Sequence, residues 1–227
     1  LEEMRPAIRT LKNAPEGVEV ALPAEDLMDN PDVVIDIFDG VFAGCRPAGN
    51  GGLAVMSLEE GLSTHEPHLR EWIEGVDVSG TTGVFAALNT AFLDRGIVIS
   101  VDEQVDAGEL LIRWTFSGKH EAGMHNFRVF VVLESGARLR ITEQFIDNAE
   151  QGKALNVITH IELGDDAKLD HIRVQAEPDN TVLISSTQVR QSARSEYQYA
   201  GFDLGGGLVR HYLEAELAGP GAHASFT

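Results

Sequence analysis

The chain has 227 residues, 36 of them acidic and 17 basic, for a formal charge of −19. A field of that sign repels nucleic acid and anionic membrane surfaces and suits cationic partners. No apolar run approaches the ~18 residues of a membrane helix, and the single cysteine, Cys45, permits no internal disulfide, which fits a reducing, cytoplasmic setting.

The first half reads as mixed α/β. Leu1 to Lys12 is weakly helical, and Gly17 to Leu22 alternates like a short strand. Val33–Phe38 and Val41-Phe42 flank Asp39-Gly40, the preferred two-residue hairpin turn because both central positions need φ > 0. Leu53–Met56 is another short strand. Ser57 and Glu60 then form a capping box, each side chain satisfying an orphan N–H of a helix start. Pro67 interrupts that helix or begins a second one. Val84, Phe85, Leu88 and Phe92 recur at helical spacing and predict one packed stripe on a helix over 82–94. Gly96 stops it, and Ile97–Val101 follows as a strand. Further strands are expected at Leu110–Phe116 and Phe127–Leu133.

After Phe127 the pattern changes. A tight corner ending in alanine recurs at Ala137, Ala167, Ala193 and Ala222, spaced 30, 26 and 29 residues apart. Period-two alternation flanks each corner, placing Ile141, His171, Tyr197 and Phe226 in one inward register. The fourth corner holds one extra residue. Alternation around a small-residue corner every ~28 residues predicts stacked rungs of a parallel β-helix. An antiparallel sandwich is the rival geometry. It would need φ > 0 at each corner, for which Asp-Asp and Gln-Ser are poor choices. The expected fold is therefore mainly β: a small mixed α/β region over 1–105, then a right-handed parallel β-helix core over 106–227.

No constellation of catalytic or ligating residues emerges. His120, Glu121, His125 and Glu134 cluster in sequence, but the histidines are five apart with Gly123 between them, unlike a helical zinc pair. A cupin site would want His at i and i+2, also missing. His171 reads as a buried, hydrogen-bonded histidine. His160 and His211 lie on strands without a second ligand. Gly205-Gly206-Gly207 lacks the Lys-Ser/Thr of a phosphate loop and reads as a turn between rungs. Glu214 and Glu216 share a strand face; as paired carboxylates they would suit glycoside hydrolysis, but on so acidic a chain they read as a charged surface. Cys45, beside Arg46 in a Gly/Pro-rich stretch, reads as an ordinary loop thiol. The assignment is thus catalytic residues none, cofactor-binding residues none and metal ligands none.

The order of segments resembles the SufB/SufD family of iron–sulfur cluster assembly proteins, its SufD branch more than SufB. The residues that carry the likeness are Val33–Val41 (VVIDIFDGV), Leu53–Leu62, and Phe85–Phe92 leading into Gly96–Ile99. Arg128–Gly136 (RVFVVLESG), Asn156–Gln175 (NVITHIELGDDAKLDHIRVQ) and Gly206–Ala222 continue it. The resemblance implies the right-handed β-helix. It also implies a non-catalytic scaffold role in a cytosolic complex, pairing with SufB and docking the SufC ATPase. No cofactor is then held stably by this chain; an iron–sulfur cluster, or a flavin, is handled transiently by the complex. The family's interface Cys and His lie in later rungs, and the helices that dock SufC follow them. Cys45 does not match the family cysteine, and no site residue is carried over. The abrupt end at Ala222–Thr227 reads as a fragment of a longer chain, with self-association or homodimer formation expected of it. The alternative from another class is a β-helix carbohydrate lyase or hydrolase.

Overall fold

Strand alternation in this chain is satisfied by two seven-stranded sheets lying face to face, with the chain crossing from one to the other at each half turn. The computed structural model describes residues 8–9, 20–21, 30–46, 49–64, 66–75, 80–93, 95–116, 124–145 and 152–227. The first sheet contains β3 (Val33–Phe38), β4 (Val41–Arg46), β8 (Asp106–Thr115), β10 (Arg138–Phe145), β12 (Lys168–Gln175), β14 (Glu196–Asp203) and β16 (His223–Phe226), in the order β16-β14-β12-β10-β8-β3-β4. The second contains β5 (Gly49–Asn50), β6 (Leu53–Ser57), β7 (Gly96–Val101), β9 (Met124–Leu133), β11 (Lys153–Leu163), β13 (Thr181–Gln191) and β15 (Leu208–Leu217), in the order β15-β13-β11-β9-β7-β6-β5. From β3/β8 and β7/β9 onward every neighbouring pair is parallel. The result is a parallel β-solenoid of about four turns rather than a sandwich. The early strands β4, β5 and β6 join antiparallel, and β1 (Ile8–Arg9) pairs with β2 (Val20–Ala21). Ile8–Arg9 is therefore strand where a weak helix was expected.

Local signals are honoured where they were specific. Asp39 and Gly40 both take positive φ in the β3–β4 hairpin. Ser57 N–H donates to Glu60 Oε2 at 2.9 Å, and Glu60 N–H returns to Ser57 Oγ at 3.2 Å, opening α1 (Leu58–Thr64). Pro67 stands in the first turn of α2 (Glu66–Glu74), where its missing N–H is harmless.

The corners stack, in a register that corrects the sequence reading at one rung. Each is a four-residue turn whose last N–H bonds to the first carbonyl: Val105 to Asp102, Ala137 to Glu134, Ala167 to Gly164, Ser195 to Ser192 and Ala222 to Gly219. The inward ladder is therefore Val105, Ala137, Ala167, Ser195, Ala222, linked by Lys168 N–H to Ala137 O, Glu196 N–H to Ala167 O and His223 N–H to Ser195 O. Ser195, not Ala193, follows Ala167 in the ladder. Ala193 sits in the turn above Asp165, and Tyr199 rather than Tyr197 pairs with His171 and Phe226. The residue before each ladder position has positive φ: Gln104, Gly136, Asp166, Arg194 and Gly221. These corners do use left-handed backbone, contrary to the expectation drawn from Asp-Asp and Gln-Ser. Gln104, Gly136, Asp166 and Arg194 each donate their N–H to a carbonyl of the next corner, which offsets part of the strain. The extra residue at the fourth corner is present: five positions separate Leu217 from Ala222, where four separate Leu163 from Ala167.

Inward positions form one core. Trp114 stacks on Phe145 (5.0 Å, 10°) and meets Phe127 edge-on (5.2 Å). A second apolar cluster lies on the outer face of the second sheet, where α1 and α2 cover Val98 and Phe130 with Leu58, Leu69 and Trp72. The third helix, α3 (Gly80–Ala91), packs there too, but not through its apolar stripe. Val84 and Phe92 are each 63% exposed, whereas Asn89 is fully buried. Hydrogen bonding to the sheet sets the buried face of α3, and the two large apolar residues are left outside.

Candidate functional site

Two groups of buried polar side chains organise the region where function would sit. The first lies under the helices. Asn89 Nδ2 donates to the carbonyls of Phe127 (3.2 Å) and Asn156 (2.8 Å), while its Oδ1 accepts from Arg128 Nε at 2.9 Å. Arg128 Nη2 donates to Thr90 Oγ1, and Asn156 Nδ2 donates to Phe85 O and Asn126 Oδ1. His160 is sandwiched between Trp72 (4.8 Å) and Phe130 (5.0 Å). Burial holds Arg128 down to about 10. Burial first, and the Arg128 charge second, push His160 well below its ordinary value, so it is a neutral imidazole. This group is a clamp that fixes α3 to the solenoid.

The second group lies inside the later turns. Alternation points Glu143, His171, Arg173, Tyr199, Ser185 and His211 inward from both sheets. His171 Nδ1 lies 3.0 Å from the Tyr197 hydroxyl and its Nε2 is 3.6 Å from Glu143 Oε2. Arg173 Nη1 donates to Asp203 at 3.0 Å. Ser185 Oγ is 2.7 Å from His211 Nδ1, and the His211 ring stacks on Tyr199 at 5.4 Å. Burial, then the charges of Arg173 and His171, lower His211 to about 3. Burial raises both tyrosines. His171 is thus the buried, bonded histidine expected from sequence. The same alternation turns Arg173 and Glu143, two residues on from His171 and Ile141, inward as well, but the sequence reading singled out neither.

The other candidates are scattered. His120 and Glu121 lie outside the described residues. His125 packs inside against Phe116, and Glu134 is exposed at a corner at the other end of β9. Among the described residues no group of three or more His, Cys, Asp or Glu is placed to hold a metal. Gly205–Gly207 forms the turn between β14 and β15; a Cβ on Gly207 would stand 2.0 Å from Asp179 O, so close packing explains that glycine. Glu214 and Glu216 point outward; Glu216 pairs with Arg190, and Glu214 borders a groove beside α3 with Phe85 and Gln188. Cys45 is in strand β4 rather than a loop. Burial and then Asp36 push its thiol up to about 11, outweighing Arg46, which is itself ion-paired to Asp36. Such a thiol is a poor nucleophile.

Among the described residues, the last strands expose several large apolar side chains. Leu208 and Leu217 on β15 and Phe226 on β16 are about half exposed, as is Phe202 on β14. No helix among the described residues is long and apolar enough to cross a membrane.

The described residues thus form a parallel β-solenoid with a partly polar interior. Residues 116–227 match the family described as "SUF system FeS cluster assembly, SufBD core domain". The chain is 36% identical over 96 residues to the chloroplastic protein ABCI7 of Arabidopsis thaliana, covering 42% of this chain and 20% of that protein. It is 30% identical over 95 residues to the iron–sulfur cluster assembly SufBD family protein slr0076 of Synechocystis sp., covering 38% of this chain and 21% of that protein. By its core domain the chain belongs to the SufB/SufD family of iron–sulfur assembly proteins. The matches span about a fifth of the length of these relatives.

Proposed function

We propose that this protein is a SufD-like scaffold subunit of an iron–sulfur assembly complex, pairing through its solenoid with a SufB partner and, in the whole protein, docking the SufC ATPase. The carrying observation is that residues 116–227, which match the SufBD core domain, fold as a parallel β-solenoid. The cluster is cargo in this reading, met at the complex rather than held here.

Co-purification with tagged SufB and SufC tests the proposal. The full-length protein is expected to retain both partners. Residues 1–227 alone are expected to bind SufC poorly and to self-associate. Failure of the full-length protein to retain either partner would overturn the scaffold assignment. Tight SufC binding by residues 1–227 would move the docking surface into the N-terminal half or the early rungs.

A further inference from the structure

The interior polar group of the later turns carries an inference independent of the scaffold role. Glu143, His171, Arg173 and Gln175 are all at least 97% buried, yet several of their polar atoms have no hydrogen-bond partner: Glu143 Oε1, Arg173 Nε and Nη2, and Gln175 Nε2. His211 Nε2, facing them from β15, has none either. Glu143 and Arg173 are direct register neighbours on β10 and β12. The Tyr199 ring lies 5.3 Å from that of His171 and 5.4 Å from that of His211, so the groups of the two sheets meet in one space between them. Buried polar atoms in native proteins are almost always satisfied, by protein or by bound molecules.

The chemistry of the open atoms narrows what satisfies them. Arg173 offers two N–H donors along one edge, Glu143 offers an acceptor, and the imidazole of His211 offers whichever role its tautomer leaves. The occupant must therefore both donate and accept. Two carboxylates, Glu143 and Asp203, already outnumber the one guanidinium, which disfavours an anion. Arg173 at the centre disfavours a cation, in keeping with the lack of any metal-ligand group among the described residues. Rungs at strand spacing of ~4.8 Å leave room only for something small. We propose that this is an internal hydration site: a cluster of roughly two ordered waters, at about three hydrogen bonds each, bridging Glu143 and Arg173 of the first sheet to His211 of the second.

Magnetic relaxation dispersion of water nuclei counts long-lived internal waters and tests the assignment on the intact protein. Replacing the pair together, as Glu143→Leu with Arg173→Met, removes both the charge and the need for a bridge. The count is expected to fall by about two relative to the parent. An unchanged count in a folded variant would overturn the proposal. A high-resolution crystal structure of the unaltered protein decides the question if the variant does not fold. Density for waters within hydrogen-bond reach of Arg173 Nε and Glu143 Oε1 supports the site, whereas direct Arg173–Glu143 pairing with no water sinks it.

Discussion

Between β8 and β11 the solenoid encloses Trp114, Phe116, Phe127, Val129, Ile141 and Phe145, with Glu143 among them; between β12 and β15 the inward positions include His171, Arg173, Gln175, Ser185, Thr187, Tyr199 and His211. The strand pattern and spacing do not change between the two regions. The backbone ladder and the period of two decide which positions face in, while the choice of side chain is free as long as buried polar atoms find partners. The early turns are held by apolar area removed from water and by ring packing. The later turns are held more by hydrogen bonds, each of small net value but costly to leave unmade. The outer faces differ as well. Helices α1 and α2 cover β7 and β9, whereas β15 and β16 lie open.

If that contrast is right, truncation should hurt far more in the early turns. Trp114→Ala empties the space between Phe145 and Phe127 and is expected to cost about 3–5 kcal/mol. Tyr199→Phe removes only a hydroxyl beside Arg173 and is expected to cost about 1 kcal/mol. Urea midpoints measure both. Equal shifts would mean that the two interiors contribute alike and that the contrast is one of composition only.

Acid should separate the regions next. His211 is depressed to about 3 in the folded protein, against 6.5 for a free histidine. Below 6.5 the unfolded chain takes up a proton that the folded chain refuses. Stability is thus fully present above pH 6.5 and declines as pH falls toward the folded value. A drop of about 2–3 kcal/mol between pH 6.5 and pH 4 is expected from this residue. His211→Gln, which keeps a polar partner for Ser185, should remove its share of the acid drop and leave the share of His160, which burial also holds neutral. The Trp114 variant should keep both. A profile unaltered by His211→Gln would show that the later turns do not bury a neutral imidazole.

The corners give a finer test of register. Ala167→Leu and Ser195→Leu push a large side chain into the inward ladder and are each expected to cost about 1–3 kcal/mol. Ala193→Leu, in the turn itself, should stay within about 0.5 kcal/mol. The reverse ranking of Ser195 and Ala193 would restore the alanine register that the sequence alone suggests.

That register shows where sequence reasoning runs out. The hairpin at Asp39-Gly40, the Ser57–Glu60 box and the alternation around His171 were legible because each is local and chemically specific. The third corner was not. Ala193 and Ser195 are both small, and size cannot tell a turn residue from an inward one. The true marker is a left-handed residue just before the inward position, and Asp166 and Arg194 do not advertise it as glycine would. The buried face of α3 was missed because an apolar stripe was assumed to point inward, whereas Asn89 docks the helix and leaves Val84 and Phe92 in solvent. The interior polar group was half legible. A histidine in an apolar register is noticeable, but its partners Glu143 and His211 come from strands about 30 and 40 residues away, and one sequence carries no sign of that pairing.

The smallest expected effect concerns the corner backbone itself. Its left-handed position holds a glycine at Gly136, φ 72°, and an L-residue at Arg194, φ 57°. An L-residue there bears roughly 1–2 kcal/mol of backbone strain, which glycine does not. Arg194→Gly relieves it but gives the unfolded chain more freedom and gives up the exposed ion pair with Asp166. These terms oppose one another, and the net change is expected to be under about 1 kcal/mol. Arg194→Val loses the same ion pair and adds a β-branched side chain that resists positive φ, so it should be less stable than the glycine variant by about 1–2 kcal/mol. The difference between the two urea midpoints cancels the shared loss and isolates the backbone. If valine and glycine are equally stable at position 194, the corner does not adopt left-handed backbone there, and the stacked-corner ladder loses its Ser195 member.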